Sequence, residues 1–272
     1  MDNRFSKIKA NLLEAFIAET VAESVIIGQI EELAECFRDK ILSYADAYMH
    51  FKRVFDFKAL SKEFLLFCSA LAKNGSLIND IQTSPSDAAK VSFLDISSSR
   101  KALGVFNNTV VFQNEAEHDF TSVCEAAYSG RSKFAILPLY NTSNGLMVSL
   151  YRSLQKYDLK ICLGTSVIMD DDVSESYFFL LSHEKHFFRY ADHILLDVTR
   201  TADGSIHKLL YILSEFGVKV KSFNSLPLEY TDERCENIIF LDCSKTDMNA
   251  LMCYISSALS DANIIGIFPF VN

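Results

Sequence analysis

Phe120-Thr-Ser-Val-Cys-Glu-Ala-Ala-Tyr-Ser-Gly130, running on through Arg131-Ser-Lys-Phe-Ala-Ile-Leu-Pro-Leu-Tyr-Asn-Thr-Ser-Asn-Gly145, is the passage from which the rest of the chain is read. A helical stretch is read over 118–128. Phe134-Ala-Ile-Leu follows as a strand too continuously apolar to have a wet face. The turn Asn141-Thr-Ser-Asn144 then opens a helix over 145–157, and free backbone N–H groups at such a start form a natural carboxylate site. Working outward, Val91-Ser-Phe-Leu, Val110-Val-Phe, Leu159-Lys-Ile-Cys-Leu and Tyr177-Phe-Phe-Leu-Leu are further strands, and 98–105 a further helix. Strands alternating with helices predict an α/β layer with a largely parallel sheet.

On either side the texture changes. Residues 192–272 read as strand His193-Ile-Leu-Leu-Asp-Val, helix 204–216, strand 218–224, strand Asn237-Ile-Ile-Phe-Leu, helix 246–259 and strand Asn263-Ile-Ile-Gly-Ile. That βαββαβ order is the ferredoxin-like arrangement of an antiparallel sheet with two helices on one face. Residues 1–84 contain no proline and two glycines, Gly28 and Gly75. Their apolar positions recur at helical spacing, in stripes through Leu13, Phe16, Ile17, Val21 and Val25 and through Ile30, Leu33, Phe37 and Ile41. A further helix is read from a Ser61 cap to Asn74-Gly75, and 79–89 is the clearest linker. The expected organisation is an all-helical domain at 1–88, an α/β lobe at 89–187 and a βαββαβ unit at 191–272.

The quoted passage resembles the prephenate dehydratase family, whose motif runs Pro-Ile-Glu-Asn-Ser/Thr-x-x-Gly. Pro138, Asn141, Thr142 and Gly145 match it, while Tyr140 holds the glutamate position. The family's Thr-Arg-Phe signature corresponds to Ser176-Tyr177-Phe178, so a hydroxyl is kept and an arginine is lost. The resemblance implies a catalytic set of Ser176, Asn141 and Thr142, with Tyr177, Phe178 and Gly145 lining the substrate. It implies conversion of prephenate to phenylpyruvate, water and CO2 on the L-phenylalanine branch of aromatic amino acid biosynthesis, a lyase reaction needing no cofactor. Two departures predict impaired catalysis. Exchanging arginine for a phenol weakens dicarboxylate recognition. Only 165–175 intervenes where the family inserts a second lobe, so one wall of the cleft is missing and water is not excluded. The family's glycine-rich first turn is also absent from Leu94-Asp-Ile-Ser-Ser-Ser-Arg100.

The βαββαβ unit resembles the ACT regulatory domain of the same family. Asp203-Gly-Ser-Ile-His-Lys-Leu-Leu follows its Pro-Gly-Ala-Leu pattern with Gly204 retained, and Asn224-Ser225-Leu226-Pro227 stands where the phenylalanine-contacting Glu-Ser-Arg-Pro would be. The resemblance implies a regulatory ligand at these five residues, a weak response to phenylalanine because both charges are gone, and a homodimer formed through these units. Residues 8–78 are similar in length and texture to a chorismate mutase domain, but lack the internal arginine on the first long helix. Three readings follow: an impaired dehydratase, a non-catalytic sensor or partner protein binding a small aromatic metabolite, and a mutase with a regulatory tail.

Bulk properties narrow the field. With 272 residues, 49% hydrophobic, the chain can bury packed cores. A net charge of -9 speaks against nucleic acid as a partner. No apolar run approaches the roughly 20 residues of a membrane span, and no export signal is read at the N-terminus, so a cytoplasmic location is expected. Seven cysteines without a C-x-x-C pair read as reduced, buried small hydrophobes. His183, His186 and the acidic run Asp170-Asp-Asp172 read as solvated, with no metal expected.

Overall fold

A computed structural model of the protein describes residues 23–38, 89–169, 173–184, 191–201, 205–227, 234–258 and 262–271. Helix α1 (Glu23–Arg38) buries Ile30, Leu33 and Ala34. Leu13, Phe16, Ile17 and Val21 of the first stripe, the helix read from Ser61, the linker as far as Ala88, Gly204, His186 and Asp170–Asp172 lie outside the described residues, while Val25 falls in α1 and Ala89 opens the first strand.

From residue 89 the elements run β1 (Ala89–Leu94), α2 (Ser97–Asn107), β2 (Phe112–Glu117), α3 (Phe120–Tyr128), β3 (Phe134–Asn141) and β4 (Gly145–Leu146). Next come α4 (Val148–Lys156), β5 (Lys160–Ile168) and β6 (Glu175–Ser182). The chain continues through β7 (His193–Thr201), α5 (Ser205–Glu215), β8 (Lys219–Pro227), β9 (Arg234–Asp242), α6 (Met248–Ala258), β10 (Ala262–Phe268) and β11 (Phe270–Val271).

All the strands among the described residues belong to one sheet, ordered β2-β1-β3-β6-β5-β10-β7-β9-β8, with β4 beside β3 and β11 beside β5. The largely parallel sheet read from the sequence is a mixed one. β2, β1 and β3 are parallel, but β5 ends at Ile168 and β6 begins at Glu175, and so short a return makes the pair antiparallel. β10, β7, β9 and β8 are antiparallel throughout. Val110 is another correction: its N–H bonds back to Phe106 O in the turn that follows α2, and the strand begins at Phe112.

The two halves share a seam. β10 runs parallel to β5 with Gly266 opposite Ile161. A Cβ on Gly266 would lie 2.5 Å from Ile161 Cβ and 2.8 Å from its carbonyl oxygen, so only a bare backbone fits this approach.

Both faces of the central strands are covered, which explains their unbroken apolar runs. Leu137, Phe179, Leu181 and Ile161 join one core with Tyr151 and Leu154 of α4, and that core continues across the seam into Leu195, Ile238, Phe240 and Phe268. Phe134, Ile136, Phe178 and Leu180 face the other way, onto Ala102, Leu103 and Phe106 of α2. Full burial of each such side chain contributes about 1.5–3 kcal/mol. Cys124 and Cys243 are buried, and burial pushes their thiols up, to about 11 and about 12.

Candidate functional site

The site begins at a defect in β3. Pro138 offers no N–H to the ladder, and the β3–β6 register slips between Pro138 and Tyr140. The slip places Tyr140 opposite Tyr177 and Asn141 opposite Ser176. Asn141 and Ser176, 35 residues apart in the sequence, thus become a cross-strand pair.

Asn141 and Ser176 are both buried, and Asn141 Nδ2 donates to Ser176 Oγ at 2.8 Å. Asn141 Oδ1 accepts from the backbone N–H groups of Ser143 (2.8 Å) and Asn144 (3.2 Å). Thr142 and Glu175 clasp each other: Thr142 N–H donates to Glu175 O, and Glu175 N–H to Thr142 Oγ1, both at 2.9 Å. The helix-opening turn expected here is instead a tight hairpin, because Gly145 pairs with Asn141 at a φ of 73°, the left-handed geometry that closes such loops. α4 starts only at Val148. The amides of Thr142, Ser143 and Asn144, read as free carboxylate donors, are therefore spent within the chain.

The two positions where the resemblance expects a glutamate and an arginine face each other. Tyr140 and Tyr177 stack with ring centroids 5.4 Å apart and planes 14° from parallel. Tyr177 also meets Phe240 and Phe270 edge-on, which ties it to the C-terminal half. Burial, then the Glu175 carboxylate, pushes its phenol above the ordinary tyrosine value. Phe178 points the other way and is fully buried in the core beneath α2.

The residues read as regulatory lie along β8, apart from Gly204. Asn224 is half-buried, with Nδ2 enclosed and bonded to no described residue. Ser225 Oγ donates to Asn237 Oδ1 at 2.6 Å, Leu226 packs on the shared core, and exposed Pro227 ends the strand opposite Cys235. The apolar strands Asn237–Leu241 and Ile264–Ile267 are internal to the chain's own sheet, so a homodimer through this unit would have to use another surface. His183, expected to be solvated, is exposed and sits edge-on to Tyr128.

One polar cluster went unread in the sequence. Asp197 on β7 and Glu236 on β9 are buried on the sheet face that α4 covers, beside Tyr151, Arg152 and Gln155 of that helix. The available signal was a carboxylate inside each of two largely apolar strands, His193-Ile-Leu-Leu-Asp-Val and Cys235-Glu-Asn-Ile-Ile-Phe.

No family model matches the sequence, and no curated protein matches it. Solved structures do. The prephenate dehydratase from Streptococcus mutans is similar over 68% of this chain and 100% of that one, with 18% identity and a TM-score of 0.54. The prephenate dehydratase from Staphylococcus aureus subsp. aureus Mu50 is similar over 66% of this chain and 99% of that one, with 11% identity and a TM-score of 0.50. GqqA, described as a novel type of quorum quenching acylase, matches over 66% of this chain and 94% of its own, with 15% identity and a TM-score of 0.53. An acylase among these neighbours shows that the fold alone does not select a chemistry. What the likeness does show is the fold alone, which is prephenate dehydratase-like.

Proposed function

We propose that this chain is a prephenate dehydratase-family scaffold retained for binding a small aromatic metabolite, with at most residual conversion of prephenate to phenylpyruvate, water and CO2. The observation that carries this reading is the closed bonding of the candidate site. Asn141, Thr142 and the turn amides are engaged with one another, with Ser176 and with Glu175. Stacked tyrosines fill the positions where the family resemblance places a glutamate and an arginine. Catalysis by preorganised charge needs donors aimed at the reacting group, and these are aimed inward. In this reading Ser176, Asn141 and Thr142 mark the ancestral catalytic positions, and Tyr177, Phe178 and Gly145 the ancestral substrate wall. The ACT reading of 191–272 places Asn224, Ser225, Leu226 and Pro227 at a ligand site without charge, so phenylalanine binds weakly. The chain pairs as a homodimer along β8, which has a strand neighbour on one side only among the described residues and exposes Val220 and Phe223.

The test is to offer prephenate, chorismate and the aromatic amino acids to the purified chain, following phenylpyruvate formation and thermal unfolding together. The expected result is a rise in unfolding temperature with one of these ligands, since binding only the native state stabilises it, and no turnover at an ordinary rate. Turnover of about 1 s⁻¹ or more, abolished by Ser176→Ala, would restore the dehydratase reading. No ligand response at all would remove the binding half.

A further inference from the structure

We propose that Asp197 and Glu236 form a proton-operated latch between α4 and the C-terminal half of the sheet, closed when the pair holds one proton and loosened when it holds none. The inference concerns stability and motion, and stands whether or not the functional reading does.

The geometry is that of a pair short of one hydrogen. Asp197 and Glu236 project from adjacent strands toward α4, offset by two positions in the β7–β9 register. Gln155 spans them: its Nε2 donates to Asp197 Oδ2 at 3.3 Å, to Glu236 Oε1, and to Tyr151 Oη at 3.3 Å. Arg152 Nη1 donates to Gln155 Oε1 at 2.8 Å, and this bond fixes which end of the amide faces the carboxylates. An amide nitrogen carries two hydrogens, and here three acceptors compete for them. Asp197 Oδ1 is enclosed and accepts no hydrogen bond from any described residue.

Charge points the same way. On α4 the facing groups are the Tyr151 phenol and the Arg152 guanidinium; on β9 it is Glu236; on β8 the neighbours are neutral Asn224 and Leu226. Arg152 Nη1 lies 2.5 Å from Glu236 Oε2, an ion contact off the hydrogen-bond axis. Two buried carboxylates thus face one guanidinium, and a second charge left uncompensated in a core is costly. A proton on Asp197 removes that charge and supplies the missing donor. Burial, followed by hydrogen bonding to Glu236 and the nearness of its charge, raises Asp197 from an ordinary 3.8 to about 7. Burial, then the two carboxylates, pushes the Tyr151 phenol up as well, so it remains a neutral donor.

The sign follows from linkage. Between about pH 4 and pH 7 the folded chain holds a proton that the unfolded chain has released, so stability falls as pH rises through this window. Above it α4 sits against two charges. α4 is joined to the site hairpin through Met147, whose N–H bonds Leu139 O and whose carbonyl accepts from Leu150 and Tyr151. A loosened helix therefore strains the Met147 turn, while the hairpin from Asn141 to Gly145 keeps its own bonds to Ser176 and Glu175.

The test uses the full chain. Carboxyl carbons are titrated by NMR, and amide exchange over 148–156 is compared at pH 6 and pH 8 after correction for intrinsic rates. One carboxyl should titrate near neutrality and vanish in Asp197→Asn, which mimics the closed latch. Protection of α4 in the native chain should drop about tenfold or more from pH 6 to pH 8, the change that one pKa unit of linkage produces, and stay constant in the variant. If Asp197→Asn does not fold, Glu236→Gln serves, with Asp197 expected to titrate lower. All carboxyls titrating below pH 5, or native α4 protection equal at both pH values, overturns the proposal.

Discussion

Two polar clusters sit at opposite ends of the segment from Asn141 to Lys156, and they are built on contrary terms. The cluster of Asn141, Thr142 and Ser176 is neutral, and its groups are matched to one another within hydrogen-bond distance. The cluster of Asp197, Glu236, Tyr151 and Gln155 is ionic and leaves a buried acceptor over. A satisfied neutral network adds rigidity, whereas a partly satisfied charged one stores a response to pH. The cluster that family resemblance marks as chemical is thus the closed one, and the responsive cluster is one the resemblance never touches.

The ionic cluster spans the two halves, with α4 on one side and β7 and β9 on the other, so the largest effect comes from opening the seam between them. Gly266→Val would drive a branched side chain into the Ile161 backbone, and β10 would have to leave β5. A loss of about 3 kcal/mol or more is expected, read by urea unfolding, with a second transition as the halves separate. A loss under about 1 kcal/mol would mean the seam is loose and the halves independent. Within the neutral cluster, Asn141→Ala removes the amide that pairs with Ser176 and braces the hairpin. It should cost about 2–3 kcal/mol at any pH from 5 to 8, in contrast to the ionic cluster.

Much of this contrast was legible before the structure. The strands at Phe134, Leu159, Tyr177 and His193 announce themselves because they are buried on both faces and written in unbroken apolar residues. The site pairing was legible only in part. Asn141, Thr142 and Ser176 stand out by resemblance, but their mutual engagement arises from the slip after Pro138, a local departure from regular register that no residue pattern states. Direction within the sheet was misread because strand and helix alternation was followed past Ile168, where a hairpin replaces a crossover. Asp197 and Glu236 were passed over because each is one carboxylate in an apolar run. Their meaning lies in a long-range encounter with Gln155, 42 residues from one and 81 from the other.

Ser176→Ala probes the neutral cluster more gently. It removes an acceptor and leaves Asn141 Nδ2 buried with nothing to donate to, while the hairpin bonds of Oδ1 remain. The expected cost is about 1–2 kcal/mol, smaller than for Asn141→Ala, with no change in the pH dependence of unfolding. A cost equal to that of Asn141→Ala would show that the Asn141–Ser176 bond alone carries the cluster.

The smallest effect tests whether the stacked tyrosines replaced a charge pair as a unit. Tyr140 and Tyr177 are directly opposite and parallel, so their contact is worth about 0.5–1.5 kcal/mol beyond burial. Tyr177→Arg alone brings a cation beside Phe240 and Phe270 with no carboxylate opposite, and Tyr140→Glu alone places an acid across from a phenol. Each single change should destabilise. The double change supplies a cross-strand ion pair at the same register, and such pairs recover about 0.2–1 kcal/mol. A double-mutant cycle should therefore give a coupling of about 1 kcal/mol, the double variant being more stable than the sum of the singles. Neither the single nor the double variant should gain prephenate turnover, because the pair adds charge without freeing the amides of the hairpin. Additive effects would mean that the two positions changed independently and that their stacking is incidental. Turnover appearing in the double variant would show that charge, not the closed bonding of Asn141 and Ser176, is what the site lacks.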